Sequence, residues 1–250
     1  MSNSFGSFCD DLFIDMSIST QLELPSSRET VLAFFERLQK QLPDMNSFAR
    51  RETGEYVLEQ EQEGQRKRWV GLEPDRIIAG CANPEDIGNA YELHNQVLEL
   101  IPYMLGVSPL DIDSMDVTYT MDFDYQGNHD EVIAEALLAG SSFGSLFDIP
   151  GARPVNCCPS AIVTLSEDSR LQSRIGVESR TTAFDVRGEK FKIDEPISLY
   201  FTVRRYPQPG PDFNTLEAYQ EQCRIAENLM FEKVIPNFVQ PLNNAIAQRR

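Results

Sequence analysis

Positive charge is what this sequence has least of for its size. Lys and Arg total 22 against 39 Asp and Glu, a formal net charge of -17. A surface of that sign repels nucleic-acid phosphates and anionic lipid headgroups, so neither nucleic acid nor a membrane is an expected partner. Basic proteins, by the same field, are attracted. Histidine occurs twice, at His94 and His129, too rarely for the usual zinc sites or a Ser-His-Asp triad. The five cysteines are scattered apart from the adjacent Cys157 and Cys158, which is no disulfide framework. An odd cysteine count, with no basic segment ahead of an apolar block at the start, predicts a reducing, cytoplasmic setting. No apolar run approaches the roughly 18 residues of a membrane span. Glycine-rich phosphate loops and HExxH are missing too. These gaps leave no catalytic residue, metal or cofactor to name, and favour a binding protein over an enzyme.

What the chain does have is a repeated stretch. Residues 14–38 read as an alternating strand followed by a helix, and residues 115–139 read the same way. Without a gap, Asp15 meets Asp116, Met16 meets Val117, Ser17 meets Thr118, Val31 meets Val132 and Ala33 meets Ala134. Self-similarity of this kind describes an architecture before it describes a chemistry.

In chain order, residues 1–11 are small, polar and acidic and predict a flexible tail. In the first strand Ile14, Met16, Ile18, Leu22 and Leu24 face one way, with Asp15, Ser17, Ser19 and Glu23 opposite, the period-2 signature of a half-buried strand. Ser27 caps the helix that follows, whose apolar stripe is Val31, Phe34, Phe35, Leu38 and Leu42. Residues 45–82 predict a strand meander. Asn83 and Pro84 predict the opening of a helix reaching about residue 105. After the second strand and helix, residues 139–160 form a long Gly/Ser/Pro-rich loop. Strands are expected over 161–166, 172–186, 190–193 and 197–205, then a rigid break at 207–211. The last helix is capped by Asn214 and kinked or ended by Pro236 and Pro241. The expected fold class is α+β: an internally duplicated strand-helix-strands-helix unit, with mainly antiparallel sheet and helices packed on one side. The halves are 12–108 and 109–250.

This order of elements resembles the duplicated half-saddle of the TATA-binding protein, and the strand-helix-strand-strand modules of bacterial effector-binding domains. The likeness lies in element order. The strand with Arg68, Trp69 and Val70, the strand with Ile77 and Ile78, and the helices over 88–105 and 216–238 also resemble a sporadically distributed family of uncharacterised bacterial proteins of similar size. That resemblance implies no activity or cofactor. The saddle likeness implies that binding uses the open sheet face.

Outward-facing strand residues are therefore the candidate site. In the repeated strand these are Asp116, Asp122 and Asp124; in and beyond the later strands they are Arg174, Arg180, Tyr200, Arg204 and Tyr206. Asp and Arg on neighbouring strands either pair with each other or face a partner. Asp122 to Asn128 resembles half of a calcium loop, but Ile133 stands where the bidentate glutamate belongs. His94 is expected in a hydrogen-bonded core, His129 at a helix cap or in solvent, and the cysteines in structural, buried positions. Two functions follow as expectations. One is a cytoplasmic, non-enzymatic protein that binds another protein through the sheet face or the 139–160 loop. The other is a small-molecule sensor with a pocket between the halves, lined by Tyr119, Phe123, Trp69 and Tyr200.

Overall fold

The computed structural model describes residues 5–61, 64–208 and 213–249. Its centre is a nine-stranded antiparallel sheet. The strands are β1 (Asp11–Thr20), β2 (Met45–Arg50), β3 (Tyr56–Gln60), β4 (Lys67–Leu72), β5 (Arg76–Ala82), β6 (Ile112–Phe123), β7 (Ser160–Thr164), β8 (Leu171–Glu178) and β9 (Ile197–Arg205). They lie in the order β2-β3-β4-β5-β1-β6-β9-β8-β7. The first strand of each half is therefore central, flanked by the last strand of its own half. The two first strands meet antiparallel, with Met16 opposite Val117.

Alternation makes this sheet one-sided. Leu12, Ile14, Met16, Ile18 and Thr20 of β1 are buried while the residues between them are half-buried, and β6 repeats the pattern through Val117, Tyr119, Met121 and Phe123. On the buried face lie α1 (Arg28–Gln41), α2 (Ile87–Met104) and α6 (Thr215–Leu229), with α2 against β1 and β5 and α6 against β6 and β9. Ser27 caps α1 by accepting the Thr30 N–H, and Phe35 meets Phe48 of β2 with the rings tilted at 58° and their centres 5.4 Å apart. Short helices α3 (His129–Ile133), α4 (Gly144–Phe147), α5 (Ala183–Gly188) and α7 (Gln240–Ala247) complete the covered side and the connections. The α+β class, the antiparallel sheet and the one-sided helices all agree with the sequence pattern.

Several local expectations do not hold. Residues 5–11 are no flexible tail: Phe5 is buried with its ring on Tyr119, the Phe8 carbonyl accepts the Asn243 amide, and Asp11 already begins β1. Residues 1–4 lie outside the described residues. β1 ends at Thr20, where the register with β6 shifts, so alternation stops and Leu22 is 69% exposed. Asn83 does not cap α2. It sits at φ +47°, accepting the Leu12 N–H and donating to Asp11, and Asp86 caps the helix in a reciprocal box with Asn89. Residues 190–193 are not a strand, and β8 stops at Glu178 before α5. Of the expected break at 207–211, residues 209–211 lie outside the described residues. Pro236 does not end the last helix. From Met230 to Val239 the turns widen to π geometry, which takes up the missing N–H, and the helix runs on into α7 with Pro241 in its first turn.

Candidate functional site

The uncovered face of the sheet can be read across all its strands from the register. One row runs Ser47, Glu59, Trp69, Gly80, Asp15, Thr118, Thr202, Arg174, Ile162. The next row toward one end includes Ile78, Ser17, Asp116, Arg204 and Gln172; the next toward the other includes Phe13, Thr120, Tyr200 and Gly176. With strands about 4.8 Å apart, nine of them make a face roughly 40 Å wide.

The eight predicted residues all lie on or beside this face, in three groups. Asp116 and Arg204 are directly opposite and pair through two bonds of 2.7 and 2.6 Å, and Arg204 also lies 6.0 Å from the Tyr206 ring. That pairing holds the guanidinium charged well above its usual range. About 13 Å along β9 by strand rise, Arg180 reaches back from the end of β8 to donate to the Tyr200 hydroxyl at 2.7 Å and pairs with Glu178 at 3.1 Å. Arg174 is exposed and, among the described residues, makes no ion pair or side-chain hydrogen bond. Asp122 and Asp124 form the third group with Asp10 and Asp11. Asp122 is opposite Asp11, and the Asp124 N–H donates to Asp10. Desolvation raises the Asp122 carboxyl pKa first, with Asp11 and Asp124 adding to it against the pull of Ser198 and Arg180. Among the described residues these acids gather no set of ligands that could hold a metal ion.

Sequence reasoning placed Asp15 on the outward face but gave it no role. It lies in the central row with no hydrogen bond or ion pair among the described residues, and burial alone pushes its carboxyl up to about 7. The cause is next door. Gly80 opposite it leaves a gap into which Trp69 lays its indole, and a Cβ on Gly80 would fall 2.2 Å from the ring and 2.1 Å from the Asp15 carboxylate. The glycine was the available signal, since a glycine inside a strand marks a close approach.

Two surface hollows border the face. One, of ≈410 Å³, is lined by Thr118, Cys158, Ser160, Arg174, Gly176, Glu178, Tyr200 and Thr202, so it brings Arg174 and Tyr200 together with the exposed thiol of Cys158. The other, of ≈730 Å³, is rimmed by Arg66, Lys67 and Arg68, whose charges are engaged by Glu85, Glu59 and Asp44. The four residues expected to line one pocket do not share a surface. Tyr119 and Phe123 are buried under the helices while Trp69 and Tyr200 stand on the open face, so the sheet separates them. His129 is buried rather than capping or solvated: Asn128 caps α3, and the imidazole bonds the Tyr125 carbonyl at 3.0 Å and accepts the Arg180 N–H at 3.3 Å. Of the cysteines, Cys158 is exposed and Cys9 half-buried, against the buried expectation that Cys81, Cys157 and Cys223 meet. Compared with protein-family models and with curated proteins, the chain matches none.

Proposed function

We propose that the protein binds another protein on its open sheet face and does so without catalysis. The observation that carries this is a sheet with one face under helices and the other, among the described residues, occupied by no helix and carrying an unpaired cation, Arg174, and an unpartnered carboxyl, Asp15, in one row. A face of that width exceeds the ~800 Å² per partner of a stable interface. Unspent charge is otherwise a cost, because a partly desolvated carboxyl without a partner destabilises the fold that holds it. The overall charge of -17 favours a basic partner surface, with an acidic group set against Arg174.

We also read the two halves as copies of one unit. Supporting this, the gapless sequence match and the strand register share the pair Met16 and Val117, as a two-fold relation between halves requires. The saddle-like element order is consistent with binding on this face.

The test compares partners captured by the parent chain, by Arg174→Glu with Tyr200→Ala, and by Glu92→Lys on the helical side. Partners lost from the sheet-face variant and kept by the helical one support the reading. An unchanged partner set, from variants of unchanged melting temperature, refutes it.

A further inference from the structure

A cavity of ≈560 Å³ opens on the opposite side of the molecule, between α2 and α6, one helix from each half. Its volume falls in the ~300–1,000 Å³ range of small-molecule sites. Tyr91 and Asn95 of α2 line it, with Tyr219, Gln220, Cys223, Arg224 and Glu227 of α6.

The floor is polar and only partly satisfied from within, with His94 Nε2 and Gln222 Oε1 lacking a partner among the described residues. The Tyr219 hydroxyl and His94 Nδ1 share a hydrogen bond of 2.6 Å, Tyr91 shares one with Tyr119, and the Gln222 amide holds the Met115 and Val203 carbonyls at 2.9 and 2.5 Å. These side chains fasten α2 to α6 and α6 to the seam between β6 and β9. Desolvation drives His94 down to about 3 and keeps the tyrosines protonated, so the floor is uncharged.

The walls carry three polar side chains that are little engaged among the described residues. The Asn95 carboxamide makes no hydrogen bond among the described residues, and its oxygen is cut off from solvent. Glu227 has neither an ion pair nor a hydrogen bond there, although it is close enough to raise the pKa values of Tyr91 and Cys223. Arg224 donates through Nε to the Gln220 carbonyl at 3.4 Å and meets no carboxylate among the described residues. Arg224 and Glu227 are three residues apart on one helix, near enough to pair, yet among the described residues they do not.

We propose that this cavity binds a small zwitterion of the α-amino-acid type, with the ammonium on Glu227 and the carboxylate on Arg224. The rings of Tyr91 and Tyr219 offer the ammonium further electrostatic contact and the ligand side chain an apolar wall. This site is independent of the docking face, and either can fail without the other.

The test is thermal unfolding of the purified full chain with a panel of L-α-amino acids, followed by calorimetric titration of any that act. Matched amines lacking the carboxylate and acids lacking the ammonium serve as comparisons. A ligand that binds only the folded chain raises the midpoint with saturation. At least one amino acid is expected to do so, with both matched analogues at least about tenfold weaker, or ~1.4 kcal/mol. Glu227→Gln and Arg224→Gln should each lose about tenfold in affinity while the unliganded midpoint stays put. If Glu227→Gln itself lowers the midpoint, the exposed Arg224→Gln decides. No saturable shift from any amino acid overturns the proposal, as does a shift that survives Arg224→Gln. Equal binding of the amine analogue overturns the zwitterion assignment.

Discussion

Replacing Asp15 with asparagine removes a charge and changes little else, so it isolates the cost of holding that carboxylate in the sheet. Burial moves its pKa from 3.8 to about 7. At about 1.36 kcal/mol per unit, the ceiling is ~4 kcal/mol of stability lost once the group is ionised. Solvent along the uncovered face screens part of that, and ~1–2 kcal/mol is the expected size. The direction follows from linkage. Between 3.8 and 7 the folded chain holds the proton that the unfolded chain has released, so stability falls as pH rises through this window and levels off above 7. Urea unfolding of both proteins at intervals from about pH 5 to 8 measures it. The asparagine variant should be the more stable throughout, its advantage growing to about pH 7 and then constant. A pH-independent difference, or a parent chain more stable than the variant at pH 8, would mean that the carboxylate has a favourable partner and would refute the reasoning.

Further predictions follow from the same geometry. His94 has the opposite linkage: its pKa is lowered from 6.5 to about 3, so its contribution is present above 6.5 and is lost as pH falls toward 3. His94→Gln should flatten the acid side of the stability profile by ~2 kcal/mol between pH 6.5 and 5, opposite in sign to the Asp15 effect over that range. Gly80→Ala forces Trp69 off its seat and should cost ~1–3 kcal/mol, with a shift in the fluorescence of this single tryptophan. A double-mutant cycle on Asp116 and Arg204 should give ~0.5–1 kcal/mol of coupling, because the arginine side chain is 44% exposed. Along the edge strand β7 every residue is exposed and none is charged, so Val163→Lys should leave the melting temperature unchanged and slow aggregation measured by light scattering.

Much of the fold was legible because burial writes itself as alternation. Ile14, Met16 and Ile18, repeated in Val117, Tyr119 and Met121, announce a strand with one wet face, and Ser27 and Asn214 announce helix starts by chemistry that works locally. The misreadings came where a tertiary contact overruled a local signal. Asn83 and Pro84 look like a helix start, yet Asn83 is engaged by the backbone of β1, and the cap moves on to Asp86. Pro236 looks like a stop, but packing under the sheet sustains the helix through wider turns. The candidate site divides likewise. Outward residues were readable strand by strand, whereas the pairing of Asp116 with Arg204 and the isolation of Arg174 depend on which strands adjoin.

The sequence by itself determined the charge, the class, the one-sided sheet and the face on which each strand residue stands, because all of these depend on composition or on neighbours within a few positions. Only the tertiary structure decided that β1 and β6 lie side by side, that Trp69 lies over Gly80 against Asp15, and that α2 and α6 leave a cavity with Arg224 and Glu227 on its wall. These facts join residues far apart in the chain. Their energies come from desolvation and long-range pairing, which no local pattern records.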